Sequence, residues 1–167
     1  MILAVLVAVA ACTGPEPAGR SGFRDTSRAI SSAAMFDPAR FAGGWHIVAA
    51  FGAEARCGAL AETWVPDSAA QFHVTGTACG PNGARAFATD ATVASFGRLS
   101  RPARGGRQEL WVLWVDADYR VAVIGTPSGS FARILSRMPA VRPDLLQAAR
   151  QVLDFNGYDI SQLKPLG

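Results

Sequence analysis

From Trp45 to Arg137 the chain alternates short apolar runs with brief turn-forming connections, and this rhythm constrains the fold more than any other feature of the sequence. The runs occupy 45–52, 57–65, 71–79, 84–94, 97–101, 108–115, 119–125 and 131–137. Short connections at regular spacing, with no helical interruption, favour an antiparallel meander. Strands of this number can close into a small barrel, which leaves no sheet edge exposed. Beyond 137 the period changes. Pro143 suits a first helical position, where its missing N–H is not needed. Leu145, Leu146, Ala149, Val152 and Leu153 recur at helical spacing, and Asn156-Gly157 is a stop signal. The expected architecture is all-β: an eight-stranded antiparallel up-and-down barrel with a C-terminal α-helix packed outside.

Length and composition set outer limits. The 167 residues, half of them hydrophobic and 17% charged, suit one globular domain. The formal net charge is +3, and Lys164 is the only lysine. Arginines and acidic residues are interspersed without a long basic block, so a solvated exterior accounts for the charge better than a nucleic-acid surface. Residues 1–11 are apolar and lead into Cys12. That run is shorter than the roughly 20 residues a membrane-spanning helix needs, and it reads as a signal segment. Val9-Ala10-Ala11-Cys12 resembles the lipobox of bacterial lipoproteins, in which the cysteine becomes the lipidated N-terminus; the other reading is an ordinary signal with an incidental cysteine. Residues 12–34 hold Gly, Pro, Ser and Arg with little periodicity and read as a flexible tether, leaving 35–167 as the folded domain. The implied location is exported and lipid-anchored to a membrane. Thr13 stands where some bacteria place an Asp for inner-membrane retention, which points to the outer membrane, facing the periplasm.

The cysteines fit this scheme. With Cys12 acylated, Cys57 and Cys79 can pair in an oxidising compartment. If 57–65 and 71–79 form a hairpin centred on Ser68, opposed residues sum to 136. Cys57 then faces Cys79, Trp64 faces Phe72 and Thr63 faces His73. Directly opposed Cβ atoms lie ~4.5–5.5 Å apart, which a disulfide bridges with modest adjustment. Alternation gathers Leu60, Glu62, Trp64, Phe72 and Val74 on the more apolar face, which is expected to line the interior. The disulfide is expected on the outer face, in the wall.

Three further segments complete the pattern: RFAGGW at 40–45, VDADYR at 115–120 and ILSRMP at 134–139. Their order and spacing resemble the lipocalin family, most closely the bacterial outer-membrane lipocalins, over roughly residues 36–165. The resemblance implies that Gly43 and Trp45 open the first strand, that Asp116 and Tyr119 form the turn after strand six, and that Arg137 ends strand eight. It also implies that the Arg137 guanidinium lies across Trp45 at the closed end, a contact worth ~0.5–2 kcal/mol. These residues are read as builders of the fold and not as catalysts. The implied function is to hold a fatty acid or lysophospholipid in the cup for storage, transport or membrane maintenance.

Chain direction then places Cys57 and Cys79 near the mouth, with Trp64 and Phe72 near the floor. Trp114 ends a descending strand near the floor. Because 108–115 is apolar on both faces, Trp114 either fills the cup or meets the helix. Phe131, Arg133, Leu135 and Arg137 share a face of the last strand. If that face turns inward, Arg133 is a charge in the cavity wall and needs a partner, for which Glu62 is the candidate; if local twist turns it outward, Arg133 is solvated. The expected ligand-binding set is Leu60, Glu62, Trp64, Phe72, Val74, Trp114 and Arg133. Arg98, Arg101, Arg104 and Arg107 surround the connection between strands five and six at the mouth, as an anion-binding rim or as a solvated loop. His46 and His73 lack the spacing of a metal site, and no phosphate loop, dinucleotide fingerprint or nucleophile elbow is present. No metal, cofactor or catalytic set is expected, and nothing assigns an oligomeric state. Two other functions compete. A lipocalin-fold enzyme acting on a lipophilic substrate would use Glu62 or a reduced cysteine. A lipoprotein interaction module would have a core filled by Trp64, Phe72 and Trp114.

Overall fold

Alternation of apolar and polar residues needs a partner strand on each side, and the chain supplies them in sequence order. The computed structural model describes residues 22–167; the signal segment, Cys12 and the first part of the expected tether lie outside them. The strands are β1 Gly43–Ala50, β2 Leu60–Ser68, β3 Gln71–Gly80, β4 Gly83–Ser95, β5 Arg98–Ala103, β6 Gly106–Val115, β7 Val121–Gly125 and β8 Ala132–Ser136. Each pairs antiparallel with its neighbour, and β1 pairs with both β2 and β8, closing the expected barrel. A short helix, α1 Pro38–Phe41, lies before β1, and α2 Pro143–Phe155 packs outside after β8. A two-residue strand, β9 Lys164–Pro165, was not foreseen. It pairs with Ala49 and Ala50 of β1, above Ile47, where the β1–β2 ladder stops.

Bulges in β1 and β6 reset which of their residues face inward. In β1 the register with β8 shifts between Ile47 and Ala49. Trp45, Ile47 and Ala50 therefore join the inner core, while Val48 and Ala49 both join the outer cluster under α2. In β6 the register with β7 shifts between Val112 and Trp114. Leu110, Val112 and Val115 face inward, and Leu113 and Trp114 both face out. Trp114 is thus corrected from the ligand-binding set: it packs in the cluster that holds Ala149 and Leu153 of α2.

The β2–β3 hairpin is offset by two residues from expectation. Thr63 opposes Thr75, Trp64 opposes Val74 and Val65 opposes His73, so the Trp64–Phe72 and Thr63–His73 pairings are corrected. Pro66, Asp67 and Ser68, read as part of the turn, belong to β2, and the turn is only Ala69-Ala70. Proline is tolerated there because β1 stops at the Gly43–Trp64 pair, so no strand needs the missing N–H on that edge. An offset of two preserves every face, and Leu60, Glu62, Trp64, Phe72 and Val74 are all buried inward. A 3-10 turn, Gly52–Arg56, interrupts the expected uninterrupted meander. Cys57 follows this turn instead of opening β2. The Cys57–Cys79 disulfide is formed, with Cα atoms 5.5 Å apart. It ties the turn to β3, and both residues are half-buried against the inner core rather than on the outer face.

Residues 22–34, read as the end of a flexible tether, are docked along the outside of the barrel. The N–H of Phe23 donates to Gly129, that of Asp25 to Gly157 and that of Ala33 to Val112. Arg24 is buried and donates to the carbonyls of Asn156 at 2.7 Å, Pro127 at 2.9 Å and Arg28. Gly157, at φ +86°, lets this strap approach: a Cβ there would stand 3.0 Å from the Asp25 carbonyl oxygen.

Candidate functional site

The floor of the barrel is solid. Helix α1, N-capped by the Asp37 carboxylate, lays Phe41 across the bottom. The Phe41 ring lies 5.1 Å from Trp45, 5.2 Å from Trp64 and 6.4 Å from Phe72, and Trp64 meets Phe72 edge-on at 5.4 Å. All four rings are at most 1% exposed, so the lower half of the cup is filled. Arg137 locks the plug. Its guanidinium lies 3.7 Å above the Trp45 ring and donates to the carbonyls of Arg40, Phe41, Ala42, Gly44 and Tyr119. Gly43, at φ +100°, brings the chain so near that a Cβ would stand 3.2 Å from Arg137 Nη1.

The turn after β6 completes this end. Asp116 accepts from the N–H groups of Arg120 at 2.6 Å and Val121 at 2.7 Å, and from Arg120 Nε at 2.8 Å. Burial pushes the Asp116 carboxyl up, but these hydrogen bonds outweigh it and hold the group below the ordinary aspartate value. Tyr119 sits at φ +57°; its hydroxyl accepts from the Asp37 N–H and donates to the Met35 carbonyl.

Charge is buried directly above the plug. Glu62, on the inner face of β2, accepts from Trp64 Nε1 at 2.8 Å through Oε1. Arg133, on the inner face of β8, places Nη2 at 2.9 Å from Glu62 Oε2. The N–H is not aligned on that oxygen, so this is an ion pair without a hydrogen bond. On its other side Arg133 Nη1 meets Glu54 of the 3-10 turn at 3.4 Å. Burial pulls the Arg133 guanidinium down, but Glu62 and Glu54 more than reverse this and keep it charged.

A cavity of about 400 Å³ opens over this pair toward the mouth. Its wall includes Glu54, Arg85, Phe87, Arg101, Gln108 and Arg133. Arg101 donates to Gln108 Oε1 at 3.0 Å. Burial, then the nearby Arg133 charge, hold the Arg101 guanidinium below its ordinary value.

Among the expected ligand residues, only Arg133 lines this cavity. Leu60, Glu62, Trp64, Phe72 and Val74 face inward but are buried beside or beneath it. Of the four rim arginines, Arg101 alone faces the cavity. Arg98 stacks outside on Trp111 at 4.3 Å, Arg107 bonds Ser100 on the outer wall, and Arg104 is exposed in the β5–β6 turn. Arg85, Phe87 and Gln108 were missed, although alternation along β4 and β6 places them inward with Ala91 and Leu110. Glu54 carried no sequence signal, because its turn was read as a plain connection. The two groups an enzyme would use are engaged: Glu62 is buried against Arg133 and Trp64, and Cys57 is bonded to Cys79. His73 pairs with Asp90 at 2.9 Å on the exposed outer wall, and among the described residues no His, Cys, Asp and Glu group is arranged to hold a metal.

Comparison with known proteins agrees with this architecture. The model of a lipocalin-like domain matches residues 36–166. Temperature-induced lipocalin-1 of Arabidopsis thaliana is 40% identical over 55 residues, which are 33% of this chain and only 30% of that protein. Insecticyanin from the tobacco hornworm Manduca sexta superimposes with a TM-score of 0.63 at 18% identity, over 83% of this chain and 84% of its own. Lobster apocrustacyanin A1 gives 0.61 at 17% identity over 77% of each chain. The siderocalin Ex-FABP, described as functioning through dual ligand specificities, gives 0.61 at 18% identity over 76% of this chain and 89% of its own. At these identities the structural likeness carries the fold.

Proposed function

The chain belongs to the lipocalin-like domain family, and from that premise we propose that it binds one small amphiphile of the fatty-acid class in the upper half of its barrel. The observation that supports this is the cavity of about 400 Å³ standing on a sealed floor. Ligand pockets span roughly 300–1,000 Å³, so a space near the lower limit suits one chain of medium length better than a lysophospholipid. The tail does not reach Trp64 or Phe72, which lie under the Glu62–Arg133 layer. Affinity comes from burial, about 0.8 kcal/mol per methylene, offset by the cost of ordering ligand and side chains.

Calorimetric titration with straight-chain acids from hexanoate to hexadecanoate tests this. Affinity is expected to climb with length and level off once the cavity is full, before hexadecanoate. Affinity that does not change with length would refute burial as the mechanism. The filled floor favours a second reading, an interaction module, and complete absence of binding across the series would support that reading instead. The proposal is binding rather than catalysis, since Glu62 and the cysteines are occupied. It includes export and anchoring to the outer membrane through lipidated Cys12, for which the support is the sequence of residues 1–13.

A further inference from the structure

Resting on that reading, we infer that the ligand enters head-first: its carboxylate seats at the bottom of the cavity on Arg133 and Arg101, and its chain points to the mouth. Arg133 is 2% exposed and lines the cavity, yet among the described residues its Nε has no hydrogen-bond partner and its Nη2 meets Glu62 only as an ion pair, without an aligned hydrogen bond. A buried guanidinium with unfilled donors is costly, and a carboxylate supplies two acceptors in the spacing a guanidinium fork matches. Arg101 is the second arm. The Arg101 and Arg133 guanidiniums lie 5.7 Å and 5.5 Å from the centre of the same Phe131 ring, so both flank one point of the wall.

Charge limits the class of head group. At the seat Arg101 and Arg133 stand with Glu54 and, just beneath, Glu62, two charges of each sign, while Arg85 lies exposed toward the mouth. A carboxylate adds one negative charge beside two arginines, whereas a doubly charged phosphate would add twice the repulsion against the two carboxylates. Burial and the Arg133 charge both work against a protonated Arg101, and an incoming anion relieves that cost. Above this level Ala78, Phe87, Pro102 and Ala103 offer apolar surface for the chain. The polarity therefore runs opposite to a cup with an apolar base and a charged rim.

Titrating the full chain with decanoate and with decanol separates head from tail. Decanoate is expected to bind at least about tenfold more tightly, the effect of one or two charge-assisted hydrogen bonds. Arg101→Gln, at a half-buried site, is expected to lower decanoate affinity by about tenfold and leave decanol unchanged. The paired exchange Glu62→Gln with Arg133→Met removes both buried charges together, keeps an acceptor for Trp64 Nε1 and leaves the partly exposed Glu54 to water, and is expected to abolish the preference for decanoate. Orientation is read by bromine quenching of tryptophan fluorescence: Trp64 bonds Glu62 under Arg133, so 2-bromodecanoate is expected to quench more than 10-bromodecanoate. The reverse order would put the head at the exposed Arg85 and overturn the inference. Equal affinity for decanoate and decanol would overturn it while leaving the binding function standing. If neither ligand binds, the binding function itself fails.

Discussion

Replacing Arg137 by alanine removes a side chain that joins α1, β1, β8 and the β6–β7 turn. Its guanidinium donates to five carbonyls, three of them at the C-terminal end of α1, where the helix supplies no partners. The three bonds from Nη2 share two hydrogens, and part of the group is exposed, so water replaces some of the loss. Two net hydrogen bonds at about 1 kcal/mol each, with about 1 kcal/mol for the stack on Trp45, give a destabilisation of about 3 kcal/mol. For a domain of this size that corresponds to a melting temperature lower by about 10 °C. Thermal unfolding followed by circular dichroism measures it, with Arg137→Lys as companion; a lysine keeps the charge but cannot fork, and is expected to recover less than half of the loss. Decanoate affinity, measured below the transition, is expected to stay at the wild-type level, because the plug separates Arg137 from the cavity. An unchanged melting temperature would refute the assignment of Arg137 as the lock of the floor. Altered ligand affinity without destabilisation would show that the floor and the cavity are not separate.

Asp116 gives the fold an acid limit. Its carboxyl is held below the ordinary value, so its contribution is present above the unfolded value of about 3.9 and is lost as pH falls through the folded value. Asp116→Asn is expected to cost about 1–2 kcal/mol at neutral pH and to flatten the fall in stability below about pH 4, measured by urea unfolding at several pH values. Reduction of Cys57–Cys79, which are 22 residues apart, is expected to cost about 3 kcal/mol by the chain-entropy relation, seen as a lower melting temperature with reductant. Trp114→Ala is expected to cost about 2 kcal/mol by leaving a gap under α2 while decanoate affinity is unchanged; a loss of affinity without destabilisation would return Trp114 to the cup. Cys12→Ser in the native host is expected to move the protein from the detergent phase to the aqueous phase, and equal aqueous partition of both forms would sink the lipid anchor.

The barrel and its helix were legible in the sequence because both rest on periodicity, which is local. Leu60 through Val74 fell on the inner face even though the hairpin register was offset, because a shift of two residues changes partners and not faces. Trp114 was not legible. A bulge adds one residue to a strand, and nothing in 108–115 marks where the alternation restarts. The filled floor was half visible: Trp64 and Phe72 were placed near the closed end, but the plug depends on Phe41, which α1 carries in from outside the strand pattern. The cavity depends on the long-range meeting of β3, β4, β5, β6, β8 and the 3-10 turn. Glu62 was named as the partner of Arg133 on strand phase alone, while Glu54 reaches the same guanidinium from a connection whose conformation has no periodic signature. The strap at 22–34 resembled a linker in composition, and its order comes from backbone hydrogen bonds and Arg24, which composition does not report.

The bulges in β1 and β6 also determine where those two strands tolerate a change of length. Val48 and Leu113 are the extra residues in β1 and β6. Removing either one abolishes its bulge and leaves every other residue of that strand on the face it already occupies, at the loss of one side chain from the outer cluster. A deletion elsewhere in the same strand turns the residues on one side of the gap from core to solvent. Insertions and deletions among descendants of this sequence are therefore expected to accumulate at these positions and in the turns. Both extra residues belong to the outer cluster that holds Ala149 and Leu153 of α2, so the places where the length of these strands can be edited without rewriting the barrel lie on the covered side of the wall.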